Sequence, residues 1–165
     1  TTLKHFPGHG SSKDDSHQGF VDVTGLWSRK ELEPFRNVIQ AGEADAIMTA
    51  HIFNSELDPD VPATLSKPVI TGILRGELGY NGVVITDDMQ MGAIRQYYGF
   101  DAAIEMAVNA GADIIALSNN GDQYLPDLAE QGFMAIRRAV NAGRISEARV
   151  NESFERVMQL KSRLG

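Results

Sequence analysis

Three groups of side chains in this sequence have the types and spacing that enzymes use for chemistry. The first is the run KHFPGHG over residues 4–10, which combines the cation of Lys4 with the imidazoles of His5 and His9. The glycines of this run allow the backbone to approach a bound ligand closely. The run is equally compatible with a simple turn after a strand, in which both histidines are merely solvated.

The second group consists of Asp15, Ser16 and His17. A carboxylate two residues before a histidine can fold back onto the ring, orient it and raise its basicity, as the aspartate of a serine protease triad does. Ser11, Ser12 or Ser16 could complete such a triad, but none of them lies on a nucleophile-elbow motif. The alternative for this group is a hydrophilic loop that happens to contain acidic residues.

The third group is TDDM over residues 86–89, where an apolar run ends in Asp87 and Asp88. Burying carboxylates costs free energy unless they are paired, hydrogen-bonded or open to a solvent-filled cleft. Because successive side chains of a strand point to opposite sides, we expect only one of the two aspartates to face a site. An N-cap or a metal ligand is the alternative, but acidic residues at strand ends are often catalytic in barrels.

The elements that must position these groups are short apolar runs alternating with helical patterns. The apolar runs predict strands over residues 1–6, 46–50, 83–86 and 113–117. Helical spacing predicts helices over 31–41, 68–78, 101–110, 128–142 and from about 146 onward. Strands that are apolar on both faces, each followed by a helix, are typical of a parallel sheet covered by helices in an α/β fold.

The residues that could do chemistry come directly after the predicted strands. They are His5 to His17, His51, Asp87 with Asp88, and residues 118–120. In a (β/α)₈ barrel the active site lies at this carboxyl edge, and a full barrel takes about 250 residues. We therefore predict about four parallel strands with alternating helices, which is half of a TIM-type barrel. No glycine-rich phosphate loop follows any strand, so a nucleotide-binding function lacks support.

The composition limits the classes of partner. The chain is 42% hydrophobic and 22% charged, which suits one globular domain with a buried core. Its net charge of −7 argues against a general nucleic-acid or membrane-surface binder. No apolar run approaches the roughly 18 residues of a membrane helix. With no cysteine, the chain has no disulfide framework, thiolate metal site or cysteine nucleophile.

Taken together, these motifs resemble glycoside hydrolase family 3, and within it the bacterial β-N-acetylglucosaminidase (β-N-acetylhexosaminidase) branch. KHFPGHG followed by DSH at 15–17 is similar to the branch's signature, and GVVITD at 82–87 is similar to the family's nucleophile motif. The resemblance extends over essentially the whole chain, through further runs at 48–52, 58–66, 73–80 and 155–161.

The resemblance implies a retaining glycosidase with no cofactor and no metal. Asp87 would be the nucleophile that forms a covalent glycosyl-enzyme, His17 the general acid/base and Asp15 the residue that orients His17. Lys4 and His5 would contact hydroxyl groups of the sugar. The resemblance leaves His9 and His51 in structural or supporting positions.

The implied substrate is a carbohydrate with a terminal β-linked N-acetylglucosamine, in peptidoglycan fragments or chitin-type oligosaccharides. Family members that act on glucosides or xylosides generally lack the Asp15–His17 motif. Transfer of the sugar to phosphate stays open, because a histidine acid/base repels an anionic acceptor less than a glutamate does. The resemblance favours a bacterial protein, in the cytoplasm rather than secreted.

Family 3 barrels carry further strands before KHFPGHG, so we expect residues 1–165 to be the C-terminal half of the catalytic barrel. Such a half exposes open sheet edges and part of an apolar interior, and it should need its other half or a self-association partner. Two other classes remain. The chain could be an inactive half-barrel, or a metal-dependent barrel hydrolase with ligands among His5, His9, Asp15 and His17.

Overall fold

The computed structural model describes residues 1–12, 19–120 and 124–163. The strands in this part of the chain are β1 (Thr2–Phe6), β2 (Val21–Asp22), β3 (Ala46–Thr49), β4 (Ile52–Phe53) and β5 (Val83–Ile85). β1, β3 and β5 form one parallel sheet in that order, with Ala46 opposite both Thr2 and Val83. β2 and β4 pair in parallel as a separate short sheet. The parallel order with intervening helices confirms the predicted α/β barrel-type fold.

The helices follow the strands as the apolar spacing predicts. They are α1 (Glu33–Gln40), α2 (Gly92–Arg95), α3 (Phe100–Ala110), α4 (Leu128–Asn141) and α5 (Glu147–Ser162), with a π-type helix over Pro68–Glu77 and 3₁₀ turns at Arg29–Leu32 and Ala63–Leu65. Immediately before the π-type helix, the Ser66 hydroxyl accepts the Val69 N–H at 3.1 Å. α2, β2 and β4 have only two to four residues each and are absent from the sequence prediction.

The fourth predicted strand, 113–117, runs parallel to β5 but makes a single bridge, between Ile85 and Ile114. The Thr86 N–H donates to the Ile114 carbonyl at 3.0 Å, as in a regular ladder. The next ladder position differs, because the Ala116 N–H donates to the Thr86 hydroxyl at 2.9 Å instead of to a backbone carbonyl. A side chain thus replaces the backbone partner, and the segment lies beside β5 without forming a regular strand.

The main core lies between the sheet and the π-type helix. Phe6, Ile47 and Val84 come from the three sheet strands and belong to the same buried cluster as Ile70 and Leu74 of the helix. Each such side chain contributes on the order of 1.5–3 kcal/mol through burial. This packing fixes the sheet, and with it the carboxyl ends of the three strands.

An ion cluster around Asp113 attaches α5 to the beginning of segment 113–117. The Asp113 side chain is completely buried and accepts hydrogen bonds from Arg75 at 2.8 Å, Arg149 at 2.9 Å and Arg156 at 3.2 Å. The Ser153 hydroxyl donates to the same carboxylate at 2.8 Å. Burial by itself would raise the pKa of Asp113, but a backbone hydrogen bond from Val84 and the arginines lower it. The carboxylate is therefore ionised and links three elements.

One face of the molecule is apolar and uncovered within the described residues. Val150, Phe154 and Met158 lie four residues apart on α5 and are exposed, as is Phe133 of α4. Phe133 and Val150 also border a cavity of about 430 Å³ against segment 113–117. Among the described helices, none has both the length and the apolar character needed to cross a bilayer.

Candidate active site

The parallel sheet brings the predicted chemical residues of β1 and β5 together at one edge. His5 lies in β1, and Asp87 comes two residues after the end of β5. The His5 Nε2 atom is 3.7 Å from the Asp87 Oδ2 atom, and both side chains are partly exposed. The peptide bonds Lys4–His5 and Phe6–Pro7 are cis. Lys4, the other predicted sugar-contacting residue, is exposed on the same strand.

The two adjacent aspartates differ in what binds their oxygens. Asp87 Oδ1 accepts the Asp88 N–H at 2.8 Å, while Oδ2 lies toward His5. Asp88 Oδ1 accepts the N–H groups of Gln90 at 3.1 Å and Ser118 at 3.0 Å, and its Oδ2 accepts the Ser118 hydroxyl. Only Asp87 therefore presents a carboxylate oxygen toward His5, while Asp88 holds two loops together.

His51 lies behind the two aspartates in the core, with a relative exposure of 1%. Its Nε2 atom is 2.9 Å from the Asp88 carbonyl oxygen, and its Nδ1 atom is 2.9 Å from the Thr64 hydroxyl. Burial lowers the pKa of His51 below that of a free histidine. The hydrogen bond to the Asp88 carbonyl and the nearby carboxylates raise this pKa, but burial has the larger effect. The sequence alone left this residue in a supporting position, and its link to Asp88 is a long-range contact without a local signal.

A cavity of about 360 Å³ borders the nucleophile candidate on its other side. This volume falls within the roughly 300–1,000 Å³ of small-molecule sites. The cavity is lined by polar and apolar groups together: Asp87, Asp88, Gln90, Met91, Ser118 and Asn120. It offers amide and hydroxyl groups next to a carboxylate, which is the chemistry that sugar hydroxyls require.

The loop after β1 is held by two residues that the sequence analysis did not single out. The Glu31 carboxylate accepts the Gly10 N–H at 3.2 Å and also the Ser11 hydroxyl. The Trp27 indole N–H donates to the Pro7 carbonyl at 3.1 Å. Gly8 has φ 117°, and a Cβ atom there would lie 2.5 Å from the Glu31 Cβ, so the close approach of Glu31 requires glycine.

Two of the predicted site residues, Asp15 and His17, lie outside the described residues. The remaining histidine of the first motif, His9, has its ring centroid 6.3 Å from that of His5, in an edge-on arrangement. Across residues 1–12, 19–120 and 124–163, no group of three or more histidine, aspartate or glutamate side chains is placed to hold a metal ion.

Comparison with known proteins identifies the family. Residues 1–160 match the N-terminal domain of glycosyl hydrolase family 3. The beta-hexosaminidase A of Pseudoalteromonas piscicida is 35% identical over an alignment 188 residues long. The alignment includes 99% of this chain and 30% of that protein.

Solved structures give the same result. A glycoside hydrolase family 3 beta-N-acetylglucosaminidase from Paenibacillus sp. FPU-7 is 44% identical, with a TM-score of 0.88 over 98% of this chain and 30% of that one. Zinc-bound CbsA from Thermotoga neapolitana is 36% identical, with a TM-score of 0.89 over 99% and 36%. The chain thus spans about a third of the length of these relatives. On the match over residues 1–160, the chain belongs to glycosyl hydrolase family 3.

Proposed function

We propose that the protein carrying this chain is a retaining glycoside hydrolase that releases terminal β-linked N-acetylglucosamine. The observation that carries the proposal is the state of Asp87: one oxygen is fixed by a backbone N–H and the other lies 3.7 Å from His5 at the carboxyl edge of the sheet. A partly exposed carboxylate held in this way is suited to attack an anomeric carbon. The family, and relatives named beta-hexosaminidase and beta-N-acetylglucosaminidase, support the substrate class.

In the proposed reaction an Asp87 oxygen bonds to the anomeric carbon as the bond to the leaving oxygen breaks. His17 gives its proton to that leaving oxygen, and the leaving group departs as an alcohol. Water then attacks the anomeric carbon and gives a proton to His17, and the Asp87 carboxylate is released. Asp15 would orient the His17 ring and stabilise its protonated form. The roles of Asp15 and His17 rest on the resemblance of the DSH motif.

Lys4 and His5 are proposed to bind hydroxyl groups of the same sugar. The His5 ring lies next to Asp87 and can therefore reach a ligand seated on that carboxylate. Lys4 precedes His5 in β1 and is exposed, and its assignment rests on the family resemblance. We further propose that residues 1–165 form the C-terminal half of the catalytic barrel. Three parallel strands and a fourth parallel segment, in sequence order, support that assignment.

The deciding experiment replaces the nucleophile in the protein at its natural length. Asp87→Asn should lower turnover of an aryl N-acetyl-β-glucosaminide by about 10⁴-fold or more, because an amide cannot form the glycosyl-enzyme. The matched control is Asp101→Asn, since Asp101 is an exposed aspartate paired with Arg138 on the surface. A wild-type rate for Asp87→Asn would rule out the nucleophile assignment.

The same assay separates the alternatives. Peptidoglycan fragments and chitin-type oligosaccharides are the proposed natural substrates, and turnover should not require phosphate if water is the acceptor. A strict requirement for phosphate would instead identify a phosphorylase. A metal-dependent mechanism would show itself as activity that is lost with a chelator and restored by a stoichiometric metal ion.

A further inference from the structure

We infer that His51 is a positioning residue for Asp87, acting through the main chain of Asp88. This inference rests on the proposed function, because it assigns His51 the task of holding the nucleophile. His51 follows β3, whereas the aspartates follow β5, so the contact ties together two neighbouring strand ends. His51 lies too deep in the core to meet a substrate directly, with a relative exposure of 1%.

Two hydrogen bonds connect the His51 ring to the nucleophile. A carbonyl oxygen can only accept, so the 2.9 Å contact with the Asp88 carbonyl requires a proton on His51 Nε2. The Asp88 N–H in turn donates to Asp87 Oδ1 at 2.8 Å. The ring thus fixes residue 88 at its carbonyl, and residue 88 fixes one oxygen of Asp87.

The other side of the ring determines its protonation state. The Thr64 hydroxyl lies 2.9 Å from His51 Nδ1, 2.9 Å from the Ala50 carbonyl and 2.8 Å from the Thr49 hydroxyl. A hydroxyl has one proton, so Thr64 can donate to His51 or to Ala50 but not to both. If Thr64 donates to Nδ1, the ring is neutral; if it donates to Ala50, then Nδ1 must carry a proton and the ring is charged.

Burial favours the neutral ring, since it lowers the pKa of His51. The charged and titratable groups nearest the ring are Asp87, Asp88 and His5; the two carboxylates favour a charged ring and His5 opposes it. In the neutral state Thr49 donates to Thr64, Thr64 to Nδ1 and Nε2 to Asp88, and Thr64 then has no proton for the Ala50 carbonyl. A neutral ring also holds the nucleophile without placing beside it a positive charge that would stabilise the free carboxylate of Asp87.

A second set of contacts also holds residue 88. These contacts allow the positioning role of His51 to be distinguished from general support of the fold. Its carboxylate accepts hydrogen bonds from Gln90 and Ser118, independently of His51. The Met91 N–H also donates to the Asp88 carbonyl, at 3.0 Å. Removing the ring should therefore take away the side-chain donor to that carbonyl and let Asp87 shift, while the loops stay joined. We expect a loss in the chemical step that exceeds any loss in folding.

The kinetic test compares two substitutions in the protein at its natural length. His51→Leu removes both hydrogen bonds of the ring. It should lower kcat by about 100-fold with little change in KM, because a misplaced reacting group slows the chemical step by about that factor. His51→Gln keeps a donor near the Nε2 position and should recover about tenfold of that loss. The rates are taken per active site, counted by trapping the glycosyl-enzyme. Val69→Ala, which makes a cavity in the core and has no hydrogen bond to either aspartate within the described residues, serves as the matched control.

A lower melting temperature in all three variants, with a loss of kcat only in the His51 variants, supports positioning. If His51→Leu keeps the wild-type kcat per active site, or if His51→Gln is no faster than His51→Leu, the inference is wrong.

A second readout needs no substrate and therefore does not depend on the proposed function. The sequence has four histidines, and ¹⁵N spectra of the imidazoles, with His51→Gln as the reference for assignment, identify the ring of His51. The inference requires a proton on Nε2 near pH 7, which both the neutral Nε2–H tautomer and the charged ring carry. A proton on Nδ1 alone would contradict it even if Asp87→Asn abolishes turnover. Conversely, activity in Asp87→Asn would overturn the proposed function and leave this spectrum unchanged.

Discussion

At the scale of single residues, the site depends on which backbone groups occupy each carboxylate. Both carboxylate oxygens of Asp88 accept hydrogen bonds, from Gln90 and Ser118. Asp87 accepts one backbone N–H at Oδ1, and its Oδ2 atom lies near His5. Strand alternation predicts that only one aspartate faces the site; in the structure Asp87 lies next to His5, while both aspartates border the cavity of about 360 Å³. The contacts of Glu31 with Gly10, of Trp27 with Pro7 and of His51 with Asp88 could not be predicted, because these partners lie twenty or more residues apart and no local pattern encodes such contacts.

The role of His17 belongs to this scale and has a distinct kinetic signature. A general acid matters most when the leaving group is a poor one, because a good leaving group departs without a proton. We expect His17→Ala to slow cleavage of an alkyl N-acetyl-β-glucosaminide by about 10²–10⁴-fold, and a nitrophenyl glycoside by much less. His9→Ala is the control and should affect both substrates alike. Equal losses with both substrates in His17→Ala would remove His17 from the acid/base role.

At the scale of elements, apolar runs located the strands because a parallel sheet buries both faces. The strand predicted at 1–6 corresponds to β1, in which exposed and partly buried residues alternate before the buried Phe6. The apolar runs at 46–50 and 83–86 correspond to β3 and β5. The run at 113–117 is as apolar, yet it makes one bridge, because the Thr86 hydroxyl takes a ladder position that apolarity does not reveal. The residue range of α5 was predicted, but the way it packs against the rest of the fold was not. That packing depends on three arginines that all bind Asp113.

The Asp113 cluster predicts a large loss of stability for a small change. Asp113→Asn leaves three arginines around a buried neutral side chain, and breaking a buried ion pair from one side costs about 3–5 kcal/mol. Urea unfolding measures the difference in the free energy of unfolding. Asp101→Asn should change it by less than about 1 kcal/mol, because both partners of that pair are more than half exposed. A similar small effect for both substitutions would mean that the cluster does not hold α5.

The same cluster sets a dependence on pH. Folding lowers the pKa of Asp113 below its value in the unfolded chain. The folded state therefore binds this proton less readily, and the contribution to stability is complete above the ordinary aspartate pKa. It is lost as the pH falls through that value toward the lower pKa of the folded state. The difference in unfolding free energy between the wild-type protein and Asp113→Asn should accordingly shrink in acid, and a difference that grows in acid would contradict this assignment.

At the scale of the whole molecule, the described residues leave surfaces that a stable monomer would normally cover. β1 and segment 113–117 are the outer members of the parallel array, and each has one neighbour within the described sheet. Beside segment 113–117 lies the apolar cavity, which Phe133 and Val150 border, and Phe154 is exposed one turn after Val150 on α5. Free strand edges next to apolar surface favour pairing with other protein. The solved relatives are about three times as long as this chain, so they contain additional residues that could cover such a face.

The 165-residue chain expressed alone should therefore associate with itself through this face. Light scattering should give a mass well above the 18.0 kDa of one chain. Phe133→Glu combined with Phe154→Glu should lower that mass or its concentration dependence, because two charges would have to be buried on association. Leu26→Glu is the control, since Leu26 is also an exposed apolar residue but belongs to neither α4 nor α5. A chain that is monomeric at high concentration and fully active alone would show that the face needs no partner, and that residues 1–165 do not depend on another half of a barrel.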